Sequence, residues 1–179
     1  PESLIHIFDF SFDSCYLFVM KIYLSGSISG GRQKIETYIR IKKIVESLDH
    51  KITSPQTADP NVSDSGEGST ENSRQIYERD MKQIHECELM IAEVTIPSLG
   101  VGYEIATAIH LNKPVLCLYD LDNPPKRLSA IVAGNTSHLI TLKGYTASNL
   151  DSLLKKELES YEQFFARLSA SDSTPSRKV

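Results

Sequence analysis

Residues 21–27 read Lys21-Ile22-Tyr23-Leu24-Ser25-Gly26-Ser27, a short apolar run that ends in small residues. A run this brief, followed directly by turn formers, predicts a buried strand. Gly30 and Gly31 lead out of it, and Ile35, Tyr38, Ile41, Val45 and Leu48 then recur at helical spacing, which predicts a helix over about 32–49. A strand that ends in a small-residue loop and feeds a helix is the opening of a strand–helix alternation.

The alternation continues along the chain. A weak strand is expected near 51–54, and the polar stretch TADPNVSDSGEGS (57–69) reads as a mobile loop. A polar helix over about 70–86 follows, with Thr70 or Ser69 as its expected N-cap. ELMIAEV (88–94) and PVLCLY (114–119) read as buried strands. Between them the loop TIPSLG opens a helix, VGYEIATAIHLN, whose first turn is expected to carry Gly102 and Glu104. A short helix near 127–133 and a strand HLITL (138–142) come next. The closing helix, about 149–168, presents Leu150, Leu153, Leu154, Leu158, Tyr161 and Phe165 on its apolar face. Near-continuous apolar strands alternating with helices imply a parallel sheet covered on both faces. Such sheets bind ligands beyond the C-terminal strand ends, at the switch in strand order, which directs attention to the residues after 24, 94 and 119.

The totals suit one domain. The chain has 179 residues, 40% hydrophobic and 23% charged, enough for a sizeable core. A net charge of −4 argues against a nucleic-acid polymer as partner, since such surfaces need a basic face. Cys15, Cys87 and Cys117 form no paired framework, and their spacing, with His85 and His110 considered beside them, suits no common metal site. No metal or cofactor is expected. No stretch approaches the ~20 apolar residues of a membrane span, and thiols without partners suit the cytoplasm or the nucleus. The first nineteen residues are apolar yet carry Glu2, Asp9 and Asp13, and they lack the features of a secretory signal. They are expected to be a leader outside the working fold, with Met20 as the working start; an added edge strand or arm is the alternative. Residues 20–168 form the expected domain and 169–179 a disordered tail.

Three segments could carry chemistry. The loop Ser25-Gly26-Ser27-Ile28-Ser29-Gly30-Gly31-Arg32 places small residues before a helix, where backbone N–H groups can converge on an anion. A structural tight turn explains it equally well, for it has neither the lysine of a P-loop nor the dinucleotide spacing. Pro97-Ser98-Leu99-Gly100-Val101-Gly102-Tyr103-Glu104 puts two glycines and a carboxylate beside the same crevice. An acidic residue at a helix start also has a purely electrostatic explanation. Asp80, late on the preceding helix, could project toward that edge, although Glu78, Arg79 and Lys82 around it also fit a solvated face. Two carboxylates over one crevice beside a phosphate cradle is what glycosidic cleavage requires: one attacks or shields the anomeric carbon, the other assists the leaving group.

KIYLSGSISGGR, the helix containing Asp80, and AEVTIPSLGVGYEIATAI with NKPVLCLY resemble the 2′-deoxynucleoside 5′-phosphate N-hydrolases of the nucleoside deoxyribosyltransferase superfamily. The resemblance covers roughly residues 20–145. It implies a flavodoxin-like or Rossmann-like three-layer α/β sandwich with a five-stranded parallel sheet in the order 2-1-3-4-5, and a homodimer without cofactor. It implies Glu104 as nucleophile, Asp80 assisting departure of the base, and Tyr23 orienting the nucleophile. Ser27, Ile28, Gly30, Gly31, Ser98 and Gly100 would line the nucleotide site, with Ser129 reaching the phosphate from the neighbouring subunit. Related transferases carry Asp where this chain has Ser98; a carboxylate there would repel a 5′-phosphate, whereas a hydroxyl can donate to it. Where the resembled family often has Arg, this chain has Ser29, and Arg32 is the candidate substitute. A deoxyribosyltransferase and a non-catalytic nucleotide-binding module are the rival readings. The preferred base and the choice between ribose and deoxyribose are not readable from these residues.

Overall fold

A computed structural model describes residues 18–28, 30–62, 71–125 and 127–172. Five strands, β1 (Lys21–Ser25), β2 (Lys51–Ile52), β3 (Leu89–Glu93), β4 (Val115–Asp120) and β5 (Ile140–Tyr145), form one sheet in the order β2-β1-β3-β4-β5. Every pairing is parallel. This is the expected α/β architecture and strand order. The chain leaves β1 toward β2 and returns past it to β3, so the switch point lies between the C-terminal ends of β1 and β3.

Alternate residues of each strand go to opposite faces, and both faces are apolar. Ile22, Leu24, Leu89, Ile91, Leu116 and Leu118 meet α1 (Ile35–Ser47) and α5 (Leu150–Asp172) through Tyr38, Ile41, Val45, Leu154 and Leu158. Tyr23, Met90, Ala92, Val115 and Cys117 meet α2 (Ser73–Glu86) and α3 (Leu99–His110) through Ile84, Val101, Ile105 and Ala108. Burial pushes the Cys87 thiol up to about 11 and the Cys117 thiol to about 12, so both are inert core thiols. Phe18, in the segment expected to lie outside the working fold, packs against the core and stacks on Phe165 at 5.6 Å between ring centroids; residues 1–17, with Cys15, lie outside the described residues.

Several boundaries differ from expectation. Asn72, not Thr70 or Ser69, caps α2: its side chain accepts from the Arg74 and Gln75 amides, and Gln75 reaches back to the Asn72 amide in a capping box. α3 begins at Leu99 because Ser98 caps it, accepting from the Val101 amide at 3.4 Å. Glu104 therefore stands in the second turn, which removes helix-end electrostatics as its reason for being there. Thr57 and Ala58, expected in a mobile loop, are buried in a 3-10 turn over Pro55–Ala58; residues 63–70 lie outside the described residues. β5 starts later than expected because Ser137 turns the chain, its carbonyl accepting from the Ile140 amide at 3.2 Å. α5 runs to Asp172, into the segment expected as a tail. The short helix α4 is confined to Ala130–Ala133.

Candidate active site

A cavity of about 460 Å³ opens at the switch point, lined by residues that include Ile28, Gly30, Asp80, Ser98, Gly100 and Glu104. That volume is in the range of small-molecule sites. Three elements converge there. β1 ends beneath it, α2 supplies one wall and the N-terminal half of α3 another.

Asp80 is placed by helix spacing. Ile76, Asp80 and Ile84 are four apart and share one face of α2; Ile84 is buried in the core and Ile76 lines the cavity with Asp80. The Oδ1 oxygen of Asp80 accepts from Arg79 Nε at 3.0 Å and Nη2 at 2.8 Å, and from Gln56 Nε2 at 3.2 Å. The same Gln56 amide donates to Gln83 at 3.0 Å, which ties the 3-10 turn to α2. Glu104 is placed by α3, whose Val101, Ile105 and Ala108 are buried against the sheet. The Tyr23 hydroxyl donates to Glu104 Oε1 at 2.9 Å, and the Ser25 hydroxyl to Oε2 at 2.5 Å. Burial, reinforced by the negative charges of Glu104 and Asp80, drives the Tyr23 phenol far above its ordinary range, so it stays protonated and donates.

The two loops at the cavity floor touch. A Cβ on Gly30 would lie 2.6 Å from Ser27 Oγ and 2.9 Å from the Pro97 carbonyl, so only glycine permits the approach. Gly31 has φ +118°, a conformation that side-chain-bearing residues rarely adopt. Ser27 Oγ is fully buried with no hydrogen-bond partner among the described residues. Arg32 donates through Nη2 to the Asp59 carbonyl, and Ser29 lies outside the described residues.

The structure thus brings together Ile28, Gly30, Asp80, Ser98, Gly100 and Glu104, with Tyr23 and Ser27 packed behind. It does not bring Ser129 to this cavity. Ser129 precedes α4 without a side-chain cap bond and lines an adjoining groove with Arg127, Ser98 and Val101, the last two of which also line the cavity. Sequence reading missed Ser25, Gln56 and Arg79 as partners of the two carboxylates; for Ser25 the available signal was its i+2 spacing from Tyr23. Among the described residues, no cluster of three His, Cys, Asp or Glu could hold a metal ion, and no helix is long and apolar enough to cross a membrane.

Residues 22–150 match the family model described as nucleoside 2-deoxyribosyltransferase. The chain belongs to that family. A putative 2′-deoxynucleoside 5′-phosphate N-hydrolase 1 of Methanococcoides burtonii is 44% identical over 117 residues, 65% of this chain and 92% of the relative. A 5-hydroxymethyl-dUMP N-hydrolase of Mus musculus is 33% identical over 156 residues, 87% of each chain. The solved structure of a CMP N-glycosidase from Clostridium botulinum shares the fold, with TM-score 0.51 and 19% identity, covering 76% of this chain and 96% of that one.

Proposed function

We propose that the chain hydrolyses the N-glycosidic bond of (2′-deoxy)nucleoside 5′-monophosphates to free base and (deoxy)ribose 5-phosphate through a glycosyl-enzyme intermediate. The observation that carries this reading is the pair of carboxylates, Asp80 and Glu104, lining one cavity while Tyr23 holds Glu104 from beneath. The names of the relatives point the same way.

In the first step a Glu104 oxygen bonds to the anomeric carbon as the bond to the base nitrogen breaks, and its electron pair leaves with the base. Asp80, fixed by Arg79 and Gln56, assists that departure. In the second step water attacks the same carbon, the bond to Glu104 breaks, and the carboxylate is restored. Over both steps the hydroxyl of water ends on the sugar and its proton on the base.

The 5′-phosphate sits where the two loops meet the start of α3. The α3 dipole favours an anion there, and Ser98 and Gly100 line the cavity beside it, with the buried Ser27 hydroxyl behind. Ser98 in place of a carboxylate selects nucleotide over nucleoside. In this reading the working unit is a homodimer, and Ser129, which lines a neighbouring groove of its own chain, serves the phosphate of a second copy. Residues 20–168 are the working domain. Buried free thiols suit the cytoplasm or the nucleus.

A panel of deoxy- and ribonucleoside 5′-monophosphates, with the matching nucleosides, tests the reading by chromatography of released base. Base release from a monophosphate, unaffected by an added second base, is the expected outcome. Transfer of the sugar to the second base would establish the transferase instead, and tight binding without release would leave a nucleotide-binding module.

A further inference from the structure

We propose that Ser25 is a positioning residue for the nucleophile, holding Glu104 Oε2 while Tyr23 holds Oε1. The inference rests on the reading of Glu104 as nucleophile and adds to it a second, separate grip. Side chains two apart on a strand share a face, so β1 aims Tyr23 and Ser25 together at α3 while Ile22 and Leu24 enter the opposite core. β1 is itself fixed between β2 and β3, with Ser25 in register with Ala92.

Both donors are shielded from water, Tyr23 being 2% and Ser25 1% exposed. A glutamate side chain has three torsions and would otherwise sample several rotamers. Tyr23 on Oε1 and Ser25 on Oε2, both from one rigid strand, restrain the position and the plane of the carboxylate. The Ser25 hydroxyl proton is directed at Glu104 at 2.5 Å, so it is not a phosphate donor, although the residue stands at the start of the small-residue loop.

The contact is useful in both chemical steps. When one Glu104 oxygen bonds to the anomeric carbon, the other becomes a carbonyl that still accepts a hydrogen bond. When water displaces the sugar, the electron pair returns to the carboxylate and both donors meet the returning charge. Ser25 does not line the cavity. Its loss therefore leaves the substrate contacts in place and acts through Glu104 alone.

The test compares wild type, Ser25→Ala and Ser25→Cys in the full chain. Steady-state kinetics use the monophosphate that wild type hydrolyses fastest, and thermal melting is followed in parallel. Losing one hydrogen bond to a charged group should lower kcat of Ser25→Ala about 10- to 100-fold, with KM and the melting temperature near wild type. Ser25→Cys keeps the size and a weak donor and should recover part of that loss. A Ser25→Ala kcat within about twofold of wild type, or a loss carried by KM and not recovered by Ser25→Cys, overturns the proposal. If Ser25→Ala does not fold, Ser25→Cys decides: reduced kcat at unchanged KM supports it, unchanged kcat overturns it. A wild-type chain that releases no base from any monophosphate overturns the assignment of Glu104 and this inference with it. An active wild type matched by Ser25→Ala overturns the inference alone.

Discussion

Replacing Ser98 by Asp should turn the cavity from nucleotide toward nucleoside without harming the fold. Ser98 is half-buried, lines the cavity and caps α3 by accepting from the Val101 amide. Aspartate is as good an N-cap as serine, and its charge favours a helix start, so the melting temperature should hold within a few degrees. A carboxylate at ~5 Å from a phosphate, at an effective dielectric near ~20, meets about 3 kcal/mol of repulsion for each phosphate charge. The same change removes a hydroxyl donor worth about 1.5–3 kcal/mol at a charged acceptor. Because the cavity is open to water, which screens the repulsion, we take about 3 kcal/mol for the whole change and expect kcat/KM on the monophosphate to fall on the order of 100-fold. The unphosphorylated nucleoside escapes the repulsion, and its kcat/KM should stay level or rise. Both substrates are followed by release of free base in the same assay. An unchanged ratio of the two kcat/KM values would refute the reasoning and remove Ser98 from the phosphate site.

Glu104→Gln keeps the shape of the side chain but removes its charge, so turnover should fall by orders of magnitude while melting is unchanged; near-normal turnover would end the assignment of the nucleophile. Mixing inactive Glu104→Gln subunits with Ser129→Ala subunits should restore activity, because a shared site lets one of the two sites in a mixed dimer be free of both lesions. No recovery on mixing would place Ser129 in its own subunit's site. Glu93 gives a pH prediction: burial holds its carboxyl above the usual range, while hydroxyls of Thr95 and Tyr145, and Lys34, work the other way. The folded chain then keeps a proton that the unfolded chain releases, so stability falls as pH rises from the ordinary carboxylate range through the raised value. Glu93→Gln should gain stability over wild type at about pH 8 relative to about pH 4 in denaturant titrations, and an equal difference at both would contradict this.

The architecture was legible because its signals are local. The run at 21–27 and the helical spacing of Tyr38, Ile41 and Val45 each report on a few neighbouring residues, and hydrophobic burial acts on those neighbours directly. Boundaries were less legible where caps compete. Thr70 and Asn72 are both good N-caps, and only the reciprocal bond from Gln75 selects Asn72. The motif around Ser98 suggests a ligand residue and gives no sign that Ser98 also caps α3, a second duty that moves Glu104 into the second turn. Gly144 belongs to β5, where it pairs in register with Tyr119 of β4, and a Cβ there would lie 2.8 Å from the Leu121 side chain.

The partners of the carboxylates were hidden for a different reason. Ser25 and Glu104 are 79 positions apart, and Gln56 and Asp80 are 24 apart, so nothing in local pattern joins them. Ser25 carries two meanings in one sequence context. As the first small residue after Leu24 it reads as part of an anion loop, and as the residue two beyond Tyr23 it shares that tyrosine's face. Only the second meaning depends on where β1 ends, and β1 ends at Ser25 itself, with Gly26 outside it. Had the strand stopped at Leu24, the serine would have been free to turn toward the phosphate. One residue of strand length therefore separates a member of the small-residue loop from a partner of Glu104, and it is the pairing with Ala92 on β3 that fixes that length.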